Sequence, residues 1–149
     1  GISVIACDVL KVVVAVGIVS YFDREASIWA GFAAAFGHCY PIFAGFRGGK
    51  AVATMFGFLL STSIFTFQSA WYVIIPFLFF LVVLYLSKMV SLSSMMAALI
   101  SSLYITYRQF DSSIEIIIAS WLLTILVIYR HRSNIKKIAD GTENKISWL

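Results

Sequence analysis

The sequence predicts an all-α fold, a polytopic membrane bundle of about six spanning helices followed by a short interfacial one. Three observations carry that expectation. Hydrophobic residues make up 61% of the 149 positions against 12% charged, and the mean hydropathy is +0.95, outside the range of soluble domains. The apolar residues gather into six runs of roughly 16–21 residues, about what is needed to cross a hydrocarbon core of ~30 Å. The breaks between runs are short, with no repeat, no low-complexity stretch and no soluble linker, so the chain reads as one domain over residues 1–149.

The first run, 2–22, carries Asp8 and Lys11 near its start. Ionisable groups inside a span face a partner or a wet cavity, and at a spacing of three these two share a helix face, so mutual pairing is the simplest account. Asp23, Arg24 and Glu25 make a polar turn. The second run, 27–46, is rich in small residues that let helices approach closely in lipid; His38 lies near its end and Pro41 is expected to stop the helix. Run 51–67 reads as a helix with Thr54 one turn in. Run 70–86 begins with the interface anchors Trp71 and Tyr72 and contains Pro76. Run 89–107 opens on a cluster of serines, Ser91, Ser93 and Ser94, whose hydroxyls either bond back to their own helix or serve a ligand. Run 114–129 completes the set, and the tail 130–149 is basic, with Ile135 and Ile138 on one edge and Gly141 as the expected stop. Cys7 and Cys39 read as free thiols.

The stretch from Gly37 to Thr54 bears the clearest chemistry. Gly48 and Gly49 permit a sharp turn and a close backbone approach, Lys50 adds a positive charge, and the following helix start directs unpaired N–H groups at the loop. An anion is the natural occupant. A nucleotide loop of the Walker type needs Gly and Ser or Thr where this chain has Ala44 and Ala51, so a nucleoside triphosphate is not indicated. The competing account is a membrane turn whose lysine anchors to headgroups.

If all six runs span, one surface collects Arg47, Lys50, Lys88, Arg130, Arg132, Lys136, Lys137 and Lys145, and the opposite one only Arg24 and Arg108. The positive-inside rule puts the basic surface in the cytoplasm. That surface also gathers the glycine loop, the serine cluster and His131 with Asn134, which lie three apart on one side of the tail helix. The positive charge is better matched to phosphates and lipid headgroups than to nucleic acid. No metal cluster, nucleotide site or disulfide framework is legible.

The pattern Gly37-His38-x-x-Pro41-x-Phe43-x-x-Phe46-x-Gly48-Gly49-Lys50-x-Val52-Ala53-Thr54, with Ser91-Leu92-Ser93-Ser94 and His131-Arg132-x-Asn134-Ile135 through Gly141-x-Glu143, closely resembles the bacterial membrane glycerol-3-phosphate acyltransferases that use acyl phosphate as donor. The resemblance runs over essentially the whole chain, in order. It implies a helical bundle of about seven spans in a complete member, a multi-pass protein of the bacterial inner membrane, and acylation of the 1-hydroxyl of glycerol 3-phosphate to give lysophosphatidic acid, the first step of phospholipid synthesis. No cofactor is implied; the partners are the two substrates and membrane lipids.

Carried over by position, the resemblance implies that Gly48, Gly49 and Lys50 hold a phosphate and that Ser91, His131 and Asn134 line the same pocket. His38 and Glu143 belong to the motif as catalytic or shaping residues, and Arg47 supports it, standing where the family usually has lysine. Val12 stands where a glycine commonly follows the Asp-x-x-Lys of the first run. Family members begin with a further span and a loop reading like Ser-Gly-Asn-x-Gly-Ala-Thr-Asn, upstream of where this chain starts; on that ground the 149-residue chain alone is expected to be weakly active or inactive.

The chemistry follows from the donor. Acyl phosphate is a mixed anhydride with a good leaving group, so alignment of the reactants supplies much of the acceleration, up to about 7–11 kcal/mol in favourable cases. Lys50 and the loop N–H groups offset charge as phosphate departs. A deprotonated histidine takes the hydroxyl proton, His131 first and His38 second, or a substrate phosphate oxygen does so. Two readings of other classes stand beside this one: a small-anion carrier, supported by Asp8, Lys11 and Pro41, and a non-catalytic membrane remnant.

Overall fold

The computed structural model describes residues 1–45 and 48–149; Phe46 and Arg47, the latter a candidate site residue, lie outside the described residues. Helix α1 spans Ile2–Phe22, α2 Arg24–Cys39, and a 3₁₀ turn follows at Ile42–Ala44. Helix α3 spans Val52–Ser61 and continues into a π-helical segment, Thr62–Thr66. Helices α4 (Trp71–Ser87), α5 (Val90–Gln109), α6 (Ile114–Arg130) and α7 (Arg132–Ala139) complete the chain.

The boundaries have local causes. The polar turn expected at 23–25 shrinks to Asp23 alone, because its carboxylate accepts from the N–H groups of Glu25 at 2.9 Å and Ala26 at 3.2 Å and so caps α2 one residue later. Helix α2 ends at Cys39 because Pro41 disfavours helical geometry in Tyr40 before it, which is non-helical with φ −132° and ψ 62°. Helix α7 stops where Gly141 takes a positive φ of 74°.

Helix α3 is short and central. It packs against α1, α2 and α4, while α4 packs on α5, α5 on α6 and α6 on α2. The approach of α3 to α1 depends on Gly57, where a Cβ would fall 3.0 Å from Val9 O and 3.1 Å from Val12 Cβ. Val12, fully buried, fills that contact. Between α5 and α6 the buried hydroxyls are paired across the interface: Ser102 donates to Ser120 O at 2.9 Å and Thr124 to Ala98 O at 2.9 Å. Such bonds add to packing where lipid supplies no hydrophobic drive for helices to associate.

Among the described residues, α1 and α5 are each long and apolar enough to cross a membrane alone, and α6 with α7 qualifies as a pair bent by 58°. Apolar side chains cover the outside, including Val4, Leu10, Val14 and Ile18 on α1 and Leu78, Val82 and Leu86 on α4, a skin suited to lipid. The two ends of the bundle differ. At one, Arg24 sits 5.5 Å over the Phe67 ring and Gln109 donates to Tyr72 Oη at 2.7 Å. At the other, the starts of α1, α3 and α5 meet the ends of α2, α4 and α6 and the tail, through contacts described next.

Candidate active site

A cavity of about 880 Å³ opens at that second end. Its polar end is lined by His38, Lys50, Ser91, His131, Asn134 and Glu143, drawn from α2, the glycine loop, α5 and the tail. Ser94, Asn144 and Lys145 also border it, and the rest of its wall is apolar, with Ile5 and Val9 of α1, Val52, Phe56 and Leu60 of α3, and Val73, Phe77 and Phe80 of α4. From Val52 to Leu60 the rise along α3 is about 12 Å at 1.5 Å per residue, so the wall leads away from the polar end into the bundle.

The polar end is a connected network. Lys50 Nζ donates to Asn134 Oδ1, Asn134 Nδ2 donates to Glu143 Oε1 at 2.9 Å, and Ser91 Oγ donates to the same oxygen at 2.6 Å. The serine cluster divides here. Ser93 and Ser94 bond back to Met89 O at 2.7 Å and Val90 O at 2.8 Å, the ordinary fate of membrane serines, whereas Ser91 reaches across to the tail. The tail then folds over the α4–α5 junction, with Ile146 N donating to Lys88 O at 2.9 Å.

Two accepted hydrogen bonds, from Ser91 first and then Asn134, hold the Glu143 carboxyl below its ordinary value of 4.5, against the opposing effect of desolvation. A lowered carboxyl pKa contributes stability that is full above the unfolded value and is lost as pH falls through the folded one. Glu143→Gln is therefore expected to lower the melting temperature near neutral pH and to flatten its decline on the acid side of pH 4.5. Melting curves of both proteins over the same acidic series check this, and identical pH dependence would show that Glu143 does not anchor the tail.

His131 caps the end of α6 and is 2% exposed. Its Nδ1 lies 2.7 Å from Val127 O, and a carbonyl only accepts, so Nδ1 carries the proton and Nε2 holds the lone pair. Burial, with Lys50 nearby, lowers its pKa below 6.5 despite the opposing bond to Val127 O. The ring is neutral at neutral pH.

The glycine loop is held from both sides. Gly49 N donates to His38 O at 3.2 Å, while Arg130 donates from Nε to Gly49 O at 3.1 Å and from Nη2 to Gly48 O at 2.9 Å. Gly48 and Gly49 line a smaller cavity with Lys11 and His38 on the loop's other side, and Lys50 alone of the three faces the main one. Ala51, buried, takes a left-handed φ of 64° at the start of α3, which has no side-chain cap. That strain costs about 1–2 kcal/mol and belongs with functional sites; it leaves an uncapped helix start beside Lys50 at the cavity.

His38 meets α1. Lys11 Nζ lies 2.8 Å from Asp8 Oδ1 and 2.9 Å from His38 Nδ1. The pairing expected within 8 and 11 is present, and it extends to a third residue on another helix. An ammonium only donates, so His38 Nδ1 accepts and the ring proton sits on Nε2. This disfavours His38 as second choice of base, because its one lone pair is already engaged.

Sequence reasoning passed over Arg130, counted only as part of the basic surface, and over the reach of Lys11 to His38. The adjacency of Arg130 to His131 was the available signal; nothing in the sequence linked 11 to 38.

An integral helical bundle whose pocket joins a cationic, hydroxyl-bearing end to an apolar wall defines a membrane protein that handles an anionic amphiphile. The glycerol-3-phosphate acyltransferase family model matches residues 1–141. Glycerol-3-phosphate acyltransferase of Bacillus subtilis (strain 168) is 42% identical over 150 residues, covering 100% of this chain and 73% of that one. The Geobacillus kaustophilus enzyme of that name is 43% identical over 149 residues, 99% of this chain and 72% of that one. The crystal structure of PlsY, an integral membrane glycerol 3-phosphate acyltransferase, in its glycerol 3-phosphate form superposes with a TM-score of 0.87 at 30% identity, covering 99% of this chain and 71% of that one. Its lysophosphatidic acid form gives 0.85 at 29%, covering 99% and 72%. The chain belongs to the glycerol-3-phosphate acyltransferase family. It is accordingly a bacterial integral-membrane acyltransferase with an all-helical fold.

Proposed function

We propose that the cavity transfers an acyl group from acyl phosphate to the 1-hydroxyl of glycerol 3-phosphate, giving lysophosphatidic acid and inorganic phosphate, with Lys50, Ser91, Asn134 and His131 as the working side chains. The observation that carries this assignment is the convergence of Lys50, Asn134, Glu143 and Ser91, from three separated stretches, at the head of a cavity whose other wall is apolar. The head suits a phosphate, the wall an acyl chain.

In this reading the glycerol 3-phosphate phosphate lies against Lys50, the uncapped start of α3 and the Ser91 hydroxyl, which turns its proton from Glu143 Oε1 to the phosphate on binding. Asn134 and Glu143 aim the lysine and the serine. The acyl chain lies along Phe56, Phe77 and Phe80 with its carbonyl carbon at the polar end. The glycerol oxygen attacks that carbon, the carbon–oxygen bond to phosphate breaks, the hydroxyl proton passes to His131 Nε2, and phosphate leaves with the bonding pair. The Nδ1–H bond to Val127 O fixes the ring so that the lone pair is on the free nitrogen, the arrangement a base requires.

His131→Ala is expected to lower kcat about 10²–10⁴-fold, the usual contribution of general acid–base catalysis, with a smaller effect on the KM for glycerol 3-phosphate. Because burial lowers the pKa of His131, the acid limb of the pH profile of kcat/KM should fall below pH 6.5, activity being lost as the base is protonated. An acid limb that persists unchanged in the His131→Ala protein would assign the base elsewhere. Lys50→Ala is expected to raise the KM for glycerol 3-phosphate by about 10- to 100-fold, as loss of a charge-assisted hydrogen bond of ~1.5–3 kcal/mol requires.

The basic end, with Lys50, Lys88, Arg130, Lys136 and Lys137, is read as facing the cytoplasm. A protease-cleavable tag after Leu149 should then be cut in inside-out vesicles and protected in right-side-out ones.

A further inference from the structure

We propose that His38 is a hydrogen-bond donor to the phosphate of the acyl donor, acting through Nε2–H, and that Lys11 is the positioning residue that sets its tautomer from α1. The proposal rests on the acyl-transfer reading above and gives a task to two charges inside a helix that the reaction otherwise leaves idle.

The arrangement is directional. Asp8 Oδ1 accepts from Lys11 Nζ at 2.8 Å, and Lys11 Nζ donates again to His38 Nδ1 at 2.9 Å. With its Nδ1 lone pair committed, a neutral His38 has its single proton on Nε2 and can only donate from there. The Nε2 atom stands against the glycine loop, where a Cβ on Gly49 would fall 2.2 Å from it. The ring lines both the main cavity and the smaller one behind the loop, which Lys11, Gly48 and Gly49 also line. The His38 ring thus borders both the cavity that holds Lys50, Asn134 and Ser91 and the smaller one that Gly48 and Gly49 line.

Two substrates bring two phosphates to one loop. Lys50 with its partners serves one, and His38, which lines the main cavity as well as the smaller one that Gly48, Gly49 and Lys11 line, is placed to serve the other. As the acyl–oxygen bond breaks, negative charge grows on the departing phosphate, and a fixed N–H aimed at it is stronger in the transition state than before. No proton is transferred by His38 in this role. Asp8 offsets the lysine charge, a requirement for an ammonium held within a span.

The test uses the tautomer. Glutamine carries its amide nitrogen at about the reach of Nε2 and asparagine at about that of Nδ1, so His38→Gln should retain most of kcat while His38→Asn and His38→Ala lose about 10- to 100-fold. In the alanine protein the change should fall on kcat and on the KM for acyl phosphate, with the KM for glycerol 3-phosphate within about twofold. Lys11→Met should lower kcat in the unsubstituted background and do little in the His38→Gln background, because glutamine has no tautomer to set. Nitrogen NMR of the resting protein labelled at histidine should show His38 protonated at Nε2 and bare at Nδ1. The opposite tautomer, equal loss in the glutamine and alanine proteins, additive losses for the double substitution, or a rise confined to the KM for glycerol 3-phosphate would each overturn the proposal. An unsubstituted protein that binds neither glycerol 3-phosphate nor acyl phosphate would overturn the acyl-transfer reading itself, whereas a His38→Ala protein with unchanged kinetic constants would overturn only the role of His38.

Discussion

Gly48→Ala is expected to reduce acyl transfer at least ~100-fold, the order of loss that follows when reacting groups are displaced by about 1 Å. A Cβ at position 48 would fall 2.0 Å from His38 O and 2.6 Å from Cys39 O. Both obstacles are main-chain atoms at the end of α2, so no side-chain rotation relieves the clash and the loop itself must move. That movement breaks the bond from Gly49 N to His38 O and pulls Gly48 O and Gly49 O off the Arg130 fork. Lys50, next in the chain, then leaves its place against Asn134. The matched control is Gly37→Ala, since a Cβ there meets nothing within 4 Å and alanine is the better helix former by about 0.5–1 kcal/mol. Kinetic constants for the two proteins, with melting temperatures to establish that both fold, decide the matter. A Gly48→Ala protein as active as the Gly37→Ala control would mean that the close approach of the loop to α2 has no part in transfer.

Arg130→Ala is expected to raise the KM for glycerol 3-phosphate and lower kcat, together costing about 10²-fold in kcat/KM if two charge-assisted bonds of ~1.5–3 kcal/mol are only partly replaced by water. Arg130 is the last residue of α6, and its guanidinium reaches the loop with two parallel donors while lying 5.0 Å over the Tyr40 ring. In a trans peptide the C=O and the following N–H point in opposite directions. Holding Gly49 O toward Arg130 therefore turns the Lys50 N–H away from it, and holding Gly48 O turns the Gly49 N–H to His38 O. The fork sets the direction of the loop's dipoles. Arg130→Lys keeps the charge but not the two-pronged geometry, so it should recover only a small part of the loss. Added guanidinium ion should restore part of the activity of the alanine protein and none to the lysine protein, whose ammonium already fills the place. Kinetic constants unchanged in Arg130→Ala would remove this account.

How much of the site was readable in advance depended on distance along the chain. Gly48, Gly49 and Lys50 are consecutive, so their spacing alone pointed to an anion, and Ala44 and Ala51 argued against a nucleotide. The spacing of Asp8 and Lys11 places them on one turn, and their contact at 2.8 Å agrees. That Lys11 also reaches His38, 27 residues on, has no local signature, because it depends on how α1 lies against α2. The choice among Ser91, Ser93 and Ser94 was equally closed to local reasoning. All three are good helix back-bonders, and only the return of the tail gives Ser91 a different partner.

Composition and the length of the apolar runs determined that this chain is a helical membrane protein, because a backbone in lipid must satisfy its own hydrogen bonds and helices do so within one segment. Local spacing also determined the end of α2 before Pro41 and the stop at Gly141. The tertiary structure decided which polar groups share a cavity, which of the basic residues clamps the loop, and which nitrogen of each histidine holds the proton. Those properties come from pairs such as Arg130 with Gly48 and Lys50 with Asn134, far apart in sequence, whose meeting is set by side-chain packing between helices and not by any helix alone.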